Sequence, residues 1–192
     1  MKKQLKEWGI LVGILGFLYF TGLHVEVAGF VQRIVLTTGI MQPDIIDTQK
    51  QAVADYNFQL EDQEGNIISF DQFKGKTIFL NFWATWCPPC VAEMPDIQGL
   101  YEKMLAHNVA FVMISLDDDF SKAKRFVARK EYEFPIYQMV SRRPDVFASR
   151  SIPTTFVISP EGKIIAQQTG MAKYDTEGFR NLLLENNSFH KK

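Results

Sequence analysis

The chain contains two cysteines, Cys87 and Cys90, with Pro88 and Pro89 between them. A disulfide closing so short a loop adds little stability through the unfolded chain, because that effect grows with loop length. The pair is better explained by chemistry. Two thiols three positions apart on a helix share a face, so they can pass between dithiol and disulfide. The thiolate is the attacking species in that exchange, so whatever stabilises it near neutral pH speeds the reaction. The competing use of such a pair is half a zinc site, which requires a second Cys pair or two nearby histidines. The histidines are His24, His107 and His190, none beside the pair in sequence. No metal and no other cofactor is therefore expected.

The flanking elements must place the thiols. Residues 77–83 form an apolar, β-rich run of the kind found in a sheet covered on both faces. A helix is expected from just after Cys87 to about residue 107, interrupted at Pro95. Cys87 then stands at or just before the first helical residue, where free backbone N–H groups and the helix dipole favour a thiolate. Pro88 suits the first helical position, and the two prolines limit how the loop relaxes between redox states. Cys90 lies on the same helix face and can resolve a mixed disulfide. Glu93, one turn past Cys90, either accepts the Cys90 proton or is a solvated helix residue. Partial burial there would raise its pKa towards neutrality. Trp86 is expected to shield one side of Cys87 and touch substrate. Trp83 is expected in the core, and Thr85 has no assigned role.

The rest of the domain alternates strands and helices. Residues 56–60 and 67–70 flank a turn at Gly65-Asn66, a hairpin signal. A buried strand over 109–116 ends at Asp117–Asp119. Ser121 is a candidate cap for a helix burying Ala123, Phe126 and Val127. A short strand (134–140), a short helix (144–150), a hairpin (154–159 and 164–169) and a last helix opened by Asp175 follow. This order gives an α/β domain with a mixed central sheet. The chain has 192 residues, 46% of them hydrophobic, enough for one domain with a real core plus extra segments. The net charge of −1, without any nucleic-acid motif, gives no reason to expect a nucleic-acid partner.

Three units are expected: residues 1–24, 25–54 and 55–192. Lys2, Lys3 and Lys6 precede an uncharged apolar run over 8–23. Without a small-x-small cleavage site, an uncleaved transmembrane signal anchor is the preferred reading over a cleaved signal peptide. The lysines put the N-terminus in the cytoplasm and the remainder on the extracytoplasmic (periplasmic) side of the inner membrane. Residues 25–41 carry Val27, Phe30, Val31, Ile34 and Val35 at helical spacing. They form an amphipathic helix that lies on the membrane surface, continues the anchor or packs on a neighbour. Pro43 ends it, and residues 42–54 read as a polar linker.

The segment Asn81-Phe-Trp-Ala-Thr-Trp-Cys-Pro-Pro-Cys90 resembles the active-site signature of thioredoxins. With residues 58–76, Glu93, Pro95 and Ile152-Pro153-Thr154, it is similar to the TlpA/ResA type of membrane-anchored thiol–disulfide oxidoreductase. The similarity spans roughly residues 56–186. It implies a thioredoxin fold with an N-terminal β-hairpin extension, and Cys87 and Cys90 as the catalytic dithiol. Thioredoxins usually have a buried Asp where Asn81 stands, and Asn cannot take the proton, whereas Glu93 matches the acidic residue of the TlpA/ResA group. The proline matching Pro153 is cis in that family and faces the cysteines. Ile152 and Pro153 would then join Trp86, Pro88 and Pro89 in holding substrate. From the residues alone, Pro153 is equally a strand-leading proline.

The resemblance implies that the dithiol reduces disulfides in exported proteins, apocytochromes c among them, and is itself re-reduced by a membrane electron carrier. Three other functions remain to be weighed. An oxidant runs the same exchange backwards. A peroxiredoxin-like peroxidase would need Pro and Thr where Leu80 and Ala84 stand. A non-enzymatic metal- or protein-binding module, such as a copper chaperone, would want a wider cysteine spacing and a later histidine.

Overall fold

The computed structural model describes residues 2–21, 23–37, 44–45 and 51–185. Two helices lead, α1 (Lys2–Thr21) and α2 (Leu23–Thr37). Strands β1 (Asp44–Ile45), β2 (Gln59–Glu61), β3 (Ile67–Ser69) and β4 (Thr77–Trp83) follow, then helix α3 (Pro88–Met104). After β5 (Val109–Ser115), α4 (Phe120–Arg129) and β6 (Ile136–Met139), the chain closes with β7 (Thr154–Ile158), β8 (Ile164–Thr169) and α5 (Glu177–Glu185).

One sheet runs in the order β1-β8-β7-β4-β5-β6-β2-β3. Strands β4, β5 and β6 are parallel, and every other pairing is antiparallel. This is the mixed α/β sheet of a thioredoxin-like domain. The β2–β3 hairpin turns through Gly65, at φ +89°, and extends the sheet beyond β6. All seven side chains of β4 are buried because both faces of the sheet are covered. Phe79 and Trp83 join a cluster with residues of α3, α4 and α5. Ile78, Leu80 and Phe82 point the other way, into a cluster with Phe58, Phe70 and Phe147. With a side-chain period of two, Asn81 must face the α3 side with Phe79 and Trp83.

Several boundaries differ from the sequence reading. Helix α3 is continuous through Pro95 and stops at Met104. A proline removes one helical hydrogen bond, which the packing of this long helix tolerates. Asp119, not Ser121, caps α4, and its carboxylate accepts from the Ser121 N–H at 2.9 Å. The helix expected over 144–150 shrinks to a single 3-10 turn, Asp145–Phe147. Asp175 precedes α5 and instead pairs with Lys103 and Arg180. Within the expected linker, β1 pairs with β8, and Val53 bridges to Lys163. A polar sequence suits a solvated edge strand as well as a loop, which is why its composition read as linker. Pro43, His190, residues 38–41 and most of 42–50 lie outside the described residues.

Among the described residues, no helix is long and apolar enough to cross a membrane. At ~1.5 Å per residue, the uncharged part of α1, residues 8–21, spans about 21 Å, against about 30 Å of hydrocarbon.

Helix α2 packs on α3, one of the three placements that the sequence left open. Among the described side chains of α2, Val25 and Gly29 are buried, whereas Val27, Phe30, Val31 and Ile34 are exposed. The apolar stripe therefore faces away from the domain. A Cβ at Gly29 would lie 3.2 Å from the Pro88 carbonyl oxygen and 3.3 Å from Val91 Cγ1, so any larger residue would press the two helices apart by a few tenths of an ångström. Glu26 anchors the same helix to α4 through Arg129 at 2.7 Å and Lys130 at 3.0 Å.

Candidate active site around Cys87 and Cys90

Cys87 and Cys90 form a disulfide with their Cα atoms 5.3 Å apart. Cys87 is the N-cap of α3, and its Sγ accepts from the Cys90 N–H at 3.3 Å. Pro88 and Pro89 fill the first helical positions, where no helical partner exists for an N–H. Cys87 is 4% exposed and Cys90 is fully buried. The Ile152–Pro153 peptide bond is cis, and the Ile152 carbonyl oxygen lies 3.7 Å from Cys87 Sγ. Trp86, 57% exposed, stands beside them. Trp86, Cys87, Pro88 and Ile152 thus line one open groove of about 470 Å³, together with Arg143 and Arg150. Pro89 and Pro153, also expected to hold substrate, do not line this groove.

Glu93 is fully buried, more deeply than its helical position suggested. Its Oε1 accepts from Asn81 Nδ2 at 2.9 Å, and its Oε2 accepts from the Ala172 N–H at 3.3 Å. Burial is the dominant influence and pushes its pKa up to about 8, while the two hydrogen bonds pull the other way. Asn81 Nδ2 also donates to Thr155 Oγ1 at 2.8 Å, and the Tyr174 hydroxyl donates to the same oxygen at 2.6 Å. The register that pairs Asn81 with Thr155 puts both on the α3 side of the sheet. Behind the site, Thr85 donates from its backbone N–H to Asp117 at 3.0 Å, and its hydroxyl binds the same carboxylate. Ser115 completes that buried cluster at 2.8 Å from Asp117.

Residues 50–167 match the AhpC/TSA family. The thiol–disulfide oxidoreductase ResA of Halalkalibacterium halodurans is 36% identical over 129 residues, covering 66% of this chain and 73% of that protein. The chain belongs to the ResA-like thiol–disulfide oxidoreductases of the AhpC/TSA family. The ResA of Bacillus subtilis is 34% identical over 66% of this chain and 72% of its own length. Among solved structures, the thiol:disulfide interchange protein DsbE of Chlorobium tepidum is 25% identical, with a TM-score of 0.60, over 77% of this chain and all of that one. StoA of Bacillus subtilis is 27% identical with a TM-score of 0.51, over 60% of this chain and 89% of that one. As a ResA-like protein the chain is an enzyme of thiol–disulfide exchange, and its substrates are disulfide-bearing proteins.

The sequence reading missed Thr155, Tyr174 and the Ala172 amide as surroundings of Glu93. Thr155 was within reach, since it pairs with Asn81 once β4 and β7 are set side by side. Tyr174 and Ala172 sit in an irregular segment with no pattern to announce them. Thr85, given no role, turns out to tie the loop before Cys87 to Asp117.

Proposed function

We propose that this chain is a membrane-tethered reductant of disulfides in exported proteins, with Cys87 as nucleophile, Cys90 as resolving thiol and Glu93 as proton acceptor. The observation that carries it is the placement of Cys87 at the start of α3 beside Ile152, with a buried Glu93 one turn past Cys90. In the reduced enzyme the free N–H groups at the helix start favour a Cys87 thiolate. That thiolate attacks one sulfur of the client disulfide, forms a mixed disulfide and expels the other sulfur as a thiolate. Cys90 gives its proton to the Glu93 carboxylate, and its thiolate attacks Cys87 Sγ. The second client sulfur leaves, and the Cys87–Cys90 disulfide forms. Two electrons have then passed to the client, and a membrane thiol-reducing carrier returns them. Apocytochrome c awaiting haem is one candidate client.

The anchor reading is supported by Lys2, Lys3 and Lys6 before the apolar run, and by exposed Trp8, Ile10, Leu11, Val12, Ile14 and Phe17 on α1. Side chains of this kind find apolar surroundings in lipid, and the lysines set the extracytoplasmic orientation of the domain. Periplasmic placement is tested by fusing reporters that fold on only one side of the membrane.

The direction of electron flow is tested by the reduction potential of the full chain in detergent micelles, read by thiol trapping in dithiothreitol buffers. A potential near or below about −270 mV supports the reductant. A potential near about −120 mV makes the chain an oxidant and reverses the proposed flow.

A further inference from the structure

The surface around Trp86 carries cations on both sides. The groove beside Cys87 is lined by Arg143 and Arg150 and by no acidic side chain. The half-buried Arg143 has its guanidinium 5.2 Å over the ring of buried Phe82, while neighbouring Arg142 takes Asp145 as its partner. Across Trp86 a second cavity of about 390 Å³ includes Lys122 and Arg125 in its wall. These belong to α4, whose sequence holds Lys122, Lys124, Arg125 and Arg129 and no acid. The nearby carboxylates are engaged elsewhere. Asp117 is buried against Thr85 and Ser115, and Asp119 caps α4, its carboxylate offsetting part of the charge of Lys122 and Arg125. Glu26, the acid in the second cavity, is bound to Arg129 and Lys130. Asp118 lines neither cavity. A chain of net charge −1 thus concentrates positive charge where its one exposed active-site aromatic stands.

We propose that this surface selects clients whose disulfide is flanked by acidic residues. An extended acidic segment lies across Trp86, with carboxylates against Arg143 and Arg150 on one side and Lys122 and Arg125 on the other. The client disulfide then comes over Cys87. Guanidinium groups suit carboxylates because their N–H fork matches both oxygens. Charges at the rim of such a surface act mainly on the encounter rate and weaken with salt. This inference rests on the reading of the chain as a reductant of protein disulfides.

The test uses the full chain in micelles, reduced beforehand, and three model peptides. Each carries one intramolecular disulfide, and they differ only in having four Glu, four Gln or four Lys as flanking residues. At low ionic strength the Glu peptide is reduced about tenfold faster than the Gln peptide, and the Lys peptide slowest. The ratio of Glu to Gln rates falls towards one in about 0.5 M salt. It also falls towards one in the Arg143→Gln, Arg150→Gln double variant. Equal rates on all three peptides at low salt overturn the selection while leaving the reductant in place, and so does a faster Lys peptide. Reduction of none of the peptides takes down the reductant reading and this inference with it. The salt dependence of the unaltered chain decides the matter even where the double variant does not fold.

Discussion

Asn81 donates from Nδ2 to Oε1 of Glu93 at 2.9 Å, joining the central strand to the active-site helix beneath the cysteines. The bond favours a charged Glu93, yet burial outweighs it and leaves the carboxyl titrating at about 8. A carboxyl held near neutrality in this way is suited to exchanging a proton with the neighbouring Cys90. Asn81 Oδ1 is buried without a partner among the described residues. Rotation of the amide would turn that oxygen towards a protonated Glu93, which then has a hydrogen to donate.

Replacing Glu93 with Gln keeps the volume and removes the proton acceptor. The resolving step should slow by about a hundredfold at pH 7. The mixed disulfide between Cys87 and client should build up on a non-reducing gel, while the initial attack changes little. Unaltered turnover would remove Glu93 from the mechanism.

Folding stability should also depend on this residue. Its folded pKa of about 8 is raised above the ordinary 4.5, so the native state holds the proton longer than the unfolded one. The stability it contributes is complete below about pH 4.5 and is lost as pH rises through about 8. Denaturant melts of the oxidised enzyme from pH 5 to 9 should show this decline, on the order of a few kcal/mol in all. Glu93→Gln should flatten it, and a variant with the same slope as the parent would place the titration elsewhere.

Asn81→Asp sets a second carboxylate where an amide now donates. Like charges at this separation in a buried site push one pKa further up. The pH at which client release becomes fast should rise, by about one unit or more, and the two groups should titrate as a coupled pair. A pH–rate profile shifted downwards would show that the aspartate serves as acceptor in place of Glu93.

The seat of α2 admits a sharper test, because one glycine and one acid hold it by different means. Gly29→Leu drives a side chain into the Pro88 carbonyl and Val91, an overpacking that costs about 1–3 kcal/mol. Glu26→Ala removes two partly exposed ion pairs, each worth about 0.2–1 kcal/mol. Hydrogen exchange in α2 should quicken strongly in the first variant and modestly in the second. The reverse order would mean that charge, not close packing, holds the helix.

The residues with period and chemistry were readable in advance. The largely apolar, β-rich run of β4 announced a strand buried on both faces, and the two prolines after Cys87 announced the start of α3. Burial of Glu93 was not readable, since one turn past Cys90 a helix residue can face either solvent or sheet. The face by which α2 packs was hidden for a related reason. Its apolar stripe suggested the contact surface, but the small residue Gly29 permits the closest approach, and helix packing follows shape as much as hydrophobicity. The roles of Tyr174 and Ala172 depend on a loop that returns to α3 from far along the chain, and no local pattern encodes such a return.

Cys90 is fully buried and Cys87 nearly so. Thiol exchange requires an attacker to reach a sulfur in line with the bond it breaks, so access limits the rate as firmly as potential does. The disulfide is in effect an insulated contact. Small thiols in the surrounding fluid would drain or charge it slowly, whatever their potential. A protein surface shaped to seat against Trp86 and Ile152 would make the connection quickly. Such insulation would let two electron circuits of different potential share one compartment without short-circuiting through this enzyme.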